Sequence, residues 1–211
     1  EVMDRSTLYY RPYVLVRLPG GSRLRLADNG DGTYTPYPGS QSRLARHQAG
    51  GVVTYTLTAP DETVRVFDEQ GRLLLIRDRR GNETTLTYTG DLLTRVTDPT
   101  GRRRLEFGYN DAGRLAWVRD PAGRTIRYGY DANGNLTVVT DTRGLAWTYT
   151  YTGTHLLHEV RDPAGNVVER TFYDGAGRAV RQENGAGVAI ELAYGEAYSR
   201  IVESGWDRVE R

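Results

Sequence analysis

The chain has 211 residues, of which 28 are basic and 27 acidic, and its formal net charge is +1. Because the two signs are interleaved along the chain, the sequence gives no electrostatic reason to expect nucleic acid or insertion into a membrane. It contains no cysteine, which excludes disulfides and thiolate metal sites, and no apolar run approaches the roughly 18 residues of a membrane-spanning helix.

Residues 1–60 are predicted to form an irregular, strand-rich lead-in. Its first ten residues, EVMDRSTLYY, lack the apolar segment of a signal peptide. Turn-forming residues predict a hairpin around Pro19–Gly21, a turn at Asn29–Gly32 and another hairpin at Pro60-Asp61. The stretch PYPGSQSRLARHQAGG, residues 36–51, is expected to be a loop and to hold any short helical turn in the chain.

Residues 61–195 repeat themselves about every 21 residues. An aromatic side chain closes a short alternating segment at Phe67, Tyr88, Tyr109, Tyr130, Tyr151, Tyr173 and Tyr194. An acidic series keeps nearly the same step at Asp78, Asp98, Asp120, Asp141, Asp162 and Glu183. A fixed period of this length indicates a repeat architecture of about six units.

Each unit carries two turn signals. The first is Tyr-Asp-x-x-Gly-(Arg/Asn)-Leu, where Asp or Asn closes an Asx-turn and the glycine supplies a left-handed residue with a bulge. Two of its copies supply Tyr130, Asp131, Gly134, Tyr173, Asp174 and Gly177. The second signal is Asp-Pro-x-Gly, which matches a type I turn; two of its copies supply Asp120, Pro121, Gly123, Asp162, Pro163 and Gly165.

Two strands and two tight turns in each unit predict an all-β fold, an antiparallel meander of hairpins. A parallel β-solenoid is the alternative, because its coils also take about 20 residues. Alternation places Tyr109, Tyr130 and Tyr151 on one face, with small or polar residues such as Gly108 and Gly129 on the other. The intervening strands are expected to fill the tyrosine face with Leu115, Trp117, Leu136 and Val138.

No catalytic, metal-binding or cofactor-binding motif stands out, and we predict no enzyme activity, no metal and no cofactor. His155 and His158 would lie on opposite faces of a strand, where they cannot share an ion. The sequence DNGDGT, residues 28–33, lacks the alternating acceptors of a calcium loop and predicts an ordinary turn. The basic run 102–104 is best explained as a solvated polar face that includes Glu106.

Residues 196–211 are expected to begin a further, truncated repeat. The segment SRIVESGWDRVER predicts a strand, a turn and the start of another strand. A next tyrosine would be due near position 215, so we expect an open sheet edge at this end, through which copies could associate.

The stretches YDANGNL, GRLAWVRDPAG and YGYDANGNLTVVTD resemble the YD repeats of the Rhs family, which also occur in teneurins and in insecticidal toxin complexes. The resemblance covers about residues 61–195. It implies a β-sheet that curls into a spiral or open, barrel-like segment of a hollow shell. It also implies a secreted or cell-surface protein, with the self-cleaving protease and the variable toxin domain of bacterial members beyond these repeats.

Two functions follow as hypotheses. The first is a non-catalytic wall segment that helps to enclose and deliver a toxin or effector domain, with that domain or the rest of the shell as its partner. The second is an extracellular adhesion module that presents Tyr, Trp and Arg to a glycan or a surface protein.

Overall fold

The structure, a computed structural model, describes residues 12–153, 155–194, 199–203 and 206–210, the last two ranges as backbone only. The chain divides into two compact units, Glu1–Glu106 and Phe107–Arg211. Within the described residues nearly all regular structure is β-strand, and one 3₁₀ turn occurs at Pro19–Gly21. No helix in this part of the chain is long and apolar enough to cross a membrane.

Unit one is a continuous antiparallel meander in which each strand pairs with the next along the chain. Its strands are β1 Tyr13–Arg17, β2 Arg23–Asp28, β3 Thr33–Pro36, β4 Arg43–Ala49, β5 Val52–Thr58, β6 Val64–Asp68, β7 Leu73–Arg77, β8 Glu83–Thr89, β9 Leu92–Thr97 and the first half of β10 Arg104–Tyr109.

The core of unit one lies on one face of its first five strands. The buried side chains are Val16, Leu24, Leu26, Tyr34, Leu44 and Leu57, with Tyr55 and Phe67 packed against them. Leu26 and Leu57 are essentially inaccessible to solvent, at 0% and 1% exposure. A cavity of about 480 Å³ lies between β1 and residues 67–71. Strand β1 therefore faces the turn after β6, which shows that this sheet curls within the unit.

Unit two repeats the meander, with sequential antiparallel pairing from β11 onward. Its strands are the end of β10, β11 Leu115–Arg119, β12 Thr125–Tyr130, β13 Leu136–Thr140, β14 Ala146–Thr152, β15 Leu156–Arg161, β16 Val167–Tyr173, β17 Ala179–Asn184, β18 Ala189–Tyr194, β19 Ser199–Glu203 and β20 Trp206–Glu210. Most of its apolar side chains are half-buried, as expected of a sheet that is one layer thick.

The antiparallel meander of hairpins is confirmed, and the parallel solenoid is excluded for the described strands. The hairpins at Pro19–Gly21, Asn29–Gly32 and Pro60-Asp61 are present, each closed by a backbone hydrogen bond between the strand ends. The two strands expected after residue 196 are β19 and β20, and the turn between them, 204–205, lies outside the described residues. The division of the chain at residues 60 and 195 stays a prediction.

The loop expected at 36–51 is wrong for Arg43–Ala49, which forms β4. The same stretch holds no helical turn. The one 3₁₀ turn among the described residues lies at Pro19–Gly21. Strand β4 pairs with β5 over seven consecutive residues, and its Leu44 is 4% exposed. The sequence RLARHQA has a weak strand pattern. Its backbone pairing with β3 and β5, together with the burial of Leu44, outweighs that pattern.

The expected filling of the tyrosine face is also wrong at two positions. Directly paired residues share a face, and Trp117 pairs with Arg127 while Val138 pairs with Gly129. Both side chains therefore lie on the glycine face. The reason at Val138 is a bulge where Tyr128 pairs with Val139 but the next tyrosine pairs with Leu136. The extra residue reverses the alternation of β13, whereas Leu136 lies on the tyrosine face as expected.

Candidate functional site

The repeated hairpin turn is the candidate functional element, and both turn signals of the sequence produce it. In the turn at Asp131, the N–H of Gly134 donates to the carbonyl of Asp131, and the N–H of Asp131 donates to the carbonyl of Asn135, each at 3.0 Å. The turn at Asp120 has the same two bonds, at 3.0 Å, with Gly123 and Arg124. Gly134 and Gly123 have φ of 85° and 82°. This is a type I turn followed by a left-handed glycine.

The Asp or Asn side chain at the first position caps these turns. In the turn at Asp162, Oδ1 accepts the N–H of Ala164 at 2.9 Å and of Asn166 at 2.8 Å, and Oδ2 accepts the Asn166 amide at 2.9 Å. Asp174 makes the same contacts with Ala176 and Arg178, all at 2.9 Å. The carboxylate thus satisfies backbone donors that the turn leaves unpaired. Pro121 and Pro163 occupy the second position of their turns, where a fixed φ suits the backbone.

These hydrogen bonds favour the ionised carboxylate. Donation from Asn135 holds the pKa of Asp131 below its ordinary value of 3.8, and donation from Arg124 does the same for the pKa of Asp120. The pKa of Asp162 is lowered by Asn166, and that of Asp174 is lowered by the backbone of Arg178.

We expect the chain to lose stability in acid through these turns. A carboxyl whose pKa is lower folded than unfolded stabilises the fold above pH 3.8, and this stabilisation disappears as the pH falls below 3.8 through the folded pKa. The variant Asp131→Asn should lose less stability on acidification, because asparagine does not titrate and caps the turn at Asn110. The measurement is the urea midpoint at pH 7 and pH 3 for both proteins; equal acid losses would contradict the expectation.

The repeat tyrosines join neighbouring turns on one edge of the sheet. The hydroxyl of Tyr130 donates to the carbonyl of Leu115 at 2.8 Å, and Leu115 directly follows the turn before it. The same bond joins Tyr151 to Leu136 at 2.8 Å and Tyr173 to Leu157 at 2.7 Å. Tyr109 lies at the end of β10, immediately before the turn at Asn110.

Loss of one such hydroxyl should weaken the sheet measurably. We expect Tyr130→Phe to lower the free energy of unfolding by about 1 kcal/mol, the usual net value of a hydrogen bond in a protein. Tyr128→Phe, on the same strand and face, is the matched control, because no hydrogen bond of the Tyr128 hydroxyl is seen among the described residues. Chemical denaturation measures both; equal effects would show that the hydroxyl bond contributes nothing specific.

On the edge that carries the Tyr-Asp turns, the residue after the turn glycine reaches forward to the next turn. In the turn at Asp120 the corresponding Arg124 bonds Asp120 of its own turn instead, at 2.6 Å. The guanidinium of Arg114 lies over the ring of Tyr130 at 5.9 Å and against Gly134, where a Cβ would collide with it. In the next turn Oδ1 of Asn135 contacts Nδ1 of His155 at 2.6 Å. The sequence motif includes this position as Arg or Asn, in GRL and GNL, but it gave no role for the side chain. Successive turns are therefore linked in both directions along one edge.

The face opposite the tyrosines has its own pattern. The ring of Trp117 lies against Gly108, at a distance that leaves no room for a Cβ, and Val138 lies over Gly129 in the same way. Further along, Glu159 is 8% exposed and accepts Arg161 at 2.6 Å and Arg170 at 2.7 Å. Donation from Arg170 lowers the pKa of Glu159. These contacts pack and neutralise the part of the face that they occupy.

The other sequence candidates have separate partners. Nδ1 of His155 contacts Asn135, whereas Nδ1 of His158 contacts the carbonyl of Thr171 at 3.0 Å. The turn at 28–33 is closed by its own side chains: Asp31 accepts the N–H of Thr33 at 2.9 Å. Glu106 accepts Arg104 at 3.0 Å and Arg95 at 3.3 Å. No cluster of three or more potential metal ligands exists among the described residues.

Comparison with known proteins identifies the repeat. The RHS repeat family model matches residues 67–103, 89–125, 109–146 and 130–167. No curated protein sequence matches the chain. The fold is similar to the crystal structure of TcdB2-TccC3-Cdc42, with a TM-score of 0.54 and 15% identity over 86% of this chain. It is equally similar to TcdB2-TccC3 without the hypervariable C-terminal region, with a TM-score of 0.54 and 15% identity over 92%. This chain spans 12% of the length of each of those chains.

Proposed function

Because the chain carries RHS repeats over residues 67–167, we propose that it is a non-catalytic wall segment of a hollow shell that encloses and helps to deliver a toxin or effector domain. The observation that carries this proposal is the linkage of successive turns. On the edge that carries the repeat tyrosines, neighbouring turns are joined by a tyrosine hydroxyl and by the residue after the turn glycine. A unit that contacts only its neighbours by repeated bonds can be added many times, as a wall requires.

The two faces of the sheet support a role in enclosure. The tyrosine face is apolar, and it includes the exposed Trp147, at 37% exposure; Leu145, just before β14, is 42% exposed. The opposite face carries ion pairs such as those of Glu159. A sheet with one apolar face needs a cover for that face. Curvature, the remainder of a shell, or an enclosed passenger would provide it.

The comparisons support the same proposal at the level of the fold. Both similar structures are of TcdB2-TccC3, and this chain corresponds to a small part of each. The partners that we propose are therefore the rest of the shell and a passenger domain within it. We also propose a secreted or cell-surface location, in keeping with the RHS repeats.

Protease protection tests the enclosure in the full-length protein. We expect its passenger domain to resist digestion while the shell is intact, and to be degraded once denaturant opens the sheet. A matched sample of the passenger alone shows its intrinsic sensitivity. A passenger that is digested equally fast with and without the folded repeats would contradict the proposal.

A further inference from the structure

Strand β1 has one unpaired edge. It pairs with β2 over Tyr13–Arg17 without a bulge, and no other strand is seen to pair with it among the described residues. At the two ends of this hairpin the N–H of Asp28 donates to the carbonyl of Pro12 at 2.8 Å, and the N–H of Leu18 donates to the carbonyl of Ser22 at 2.9 Å. These two bonds fix the phase of the ladder between β1 and β2.

The phase of that ladder determines which backbone groups of β1 are free. In an antiparallel pair, every second residue directs its backbone polar groups toward the partner strand. From Pro12 to Leu18 these are the residues that face β2. The residues between them, Tyr13, Leu15 and Arg17, direct their N–H and C=O groups toward the open edge. An edge of this kind is a template for a further strand.

A cavity of about 480 Å³ lies along the open edge of β1. Four consecutive residues of the strand line it: Val14, Leu15, Val16 and Arg17. Successive side chains of a strand point to opposite faces of the sheet. A cavity that contacts four residues in a row therefore lies beside the strand, where an occupant would meet the free backbone groups.

The floor of this cavity is apolar, and its far side is closed. Val16 and Leu44 are 8% and 4% exposed, and Tyr55 and Phe67 pack against the same core. The turn 69–71 lines the side opposite β1. The volume is in the range of ligand pockets, so the space beside β1 suits one short segment and not a further folded sheet.

Two charged residues of opposite sign line the same cavity. Arg17 and Glu69 are exposed, and neither forms an ion pair among the described residues. Arg17 ends β1, whereas Glu69 lies in the turn after β6. Because successive strands run in opposite directions, that turn lies on the edge of the sheet at which β1 begins. The two charges therefore mark opposite ends of the groove beside β1.

We propose that this groove binds an extended peptide segment of another protein as an additional antiparallel strand. The peptide bonds the free backbone groups of Tyr13, Leu15 and Arg17, and its apolar side chains at alternate positions enter the cavity. An acidic residue at its N-terminal end lies opposite Arg17, and a basic residue at its C-terminal end lies toward Glu69, because opposite charges at paired positions are stabilising. The site goes beyond the proposed wall function and does not depend on it, since every lining residue belongs to unit one.

Binding of the labelled peptide DVTVTVK, blocked at both ends, tests the proposal in the full chain by fluorescence anisotropy. Its aspartate would pair with Arg17, and its first two valines with Val16 and Val14 on the cavity side. The comparison peptide DTVTVVK has the same composition, but its alternation is displaced by one residue. We expect DVTVTVK to bind more tightly; no binding, or equal binding of the two peptides, would overturn the proposal.

Two substitutions at one position separate the backbone bond from the side chain. Leu15→Pro removes an N–H that faces the open edge, and proline is tolerated at such an edge position. Leu15→Ala is the matched control, because it keeps the N–H. We expect an affinity loss of at least about tenfold for DVTVTVK in Leu15→Pro, little change in Leu15→Ala, and similar melting temperatures of the two variants. Equal affinities of the two folded variants would overturn the proposal.

A charge reversal tests the orientation of the peptide without proline. Arg17→Glu should reverse the preference of the site, so that KVTVTVK binds more tightly than DVTVTVK. Arg79→Glu, which changes an exposed arginine outside the cavity, is the matched control and should keep the preference for DVTVTVK. An unchanged preference in Arg17→Glu would overturn the proposed orientation and with it the proposal.

A second copy of this chain is the competing occupant of the open edge. Sedimentation of the free protein over a range of concentrations distinguishes the two. We expect Leu15→Pro to leave the oligomeric state unchanged. A dimer that Leu15→Pro abolishes would assign the edge to a second copy and overturn the proposal.

Discussion

Replacing Gly129 by alanine is expected to lower the free energy of unfolding by about 1–3 kcal/mol, the usual cost of overpacking a well-packed site. The φ of Gly129 is not in the left-handed region, so the backbone itself accepts alanine. A Cβ at this position, however, would lie 2.5 Å from Cγ1 of Val138 on the next strand. Either the valine or the strand must move, and urea denaturation measures the cost.

Two further variants separate this clash from a general effect of alanine. Gly175→Ala is the matched control, because its Cβ would meet nothing within 4 Å, and it should be neutral or slightly stabilising. Val138→Ala should be less damaging in the Gly129→Ala background than in the wild type, since it removes the clashing methyl group. Strictly additive effects of the two substitutions would show that Val138 does not limit position 129.

Replacing Asp131 by alanine is expected to have the other large effect, because its carboxylate accepts hydrogen bonds from both the backbone and the side chain of Asn135. Oδ1 accepts the N–H of Asn135 and Oδ2 accepts its side-chain amide, both at 2.8 Å. Asn135 is only 7% exposed, so water cannot readily replace the lost acceptor. An unsatisfied buried amide costs about 1–3 kcal/mol. The contact between Asn135 and His155 in the next turn should weaken too, which hydrogen exchange would detect in both turns.

Asp111→Ala is the matched control for this substitution. Asp111 lies one position further into the equivalent turn of the preceding repeat, where Asn110 makes the capping bonds. Asp111 is exposed, and no hydrogen bond of its side chain is seen among the described residues. We expect little change in stability from Asp111→Ala. Equal losses in the two variants would mean that general charge, and not the cap, stabilises these turns.

Local features of this chain could be predicted from the sequence because they depend on neighbouring residues. Asp, Pro and Gly at fixed offsets dictate the turn backbone, so the period, the hairpins and the antiparallel order follow directly. The sequence suggested two kinds of turn, whereas the turns at Asp120 and Asp131 share one hydrogen-bond pattern. The turn signals were complementary parts of one structure: proline favours its second position, and glycine its left-handed residue.

Contacts between strands were harder to predict. Alternation alone placed Val138 on the tyrosine face, but the bulge beside Tyr130 moves it to the other. Nothing in the alternation pattern marks such a bulge, because it depends on how two strands meet. The bonds from Tyr130 to Leu115 and from Asn135 to His155 join residues 15 and 20 positions apart. In the structure these turns lie on one edge of the sheet. The recurrent tyrosine and the recurrent Arg or Asn are the residues that connect neighbouring turns there.

Strand β4 could not be predicted from its own sequence. Its sequence RLARHQA has little strand character, yet seven of its residues pair with β5. In unit one the curled sheet buries Leu44 against Leu26 and Leu57, and this tertiary contact determines the local structure. The hairpin turns could be predicted from the sequence in both the repeats and the lead-in, whereas β4 required the structure.

Electron cryomicroscopy of the full-length protein would test the central claim most directly. If these repeats are a wall segment, the map will show the sheet continuing through further hairpins around an enclosed volume that holds density for a passenger. The turns that follow the repeat tyrosines should lie one after another along a single rim of the wall. A map in which the repeats form a compact sheet with no enclosed volume would contradict the account.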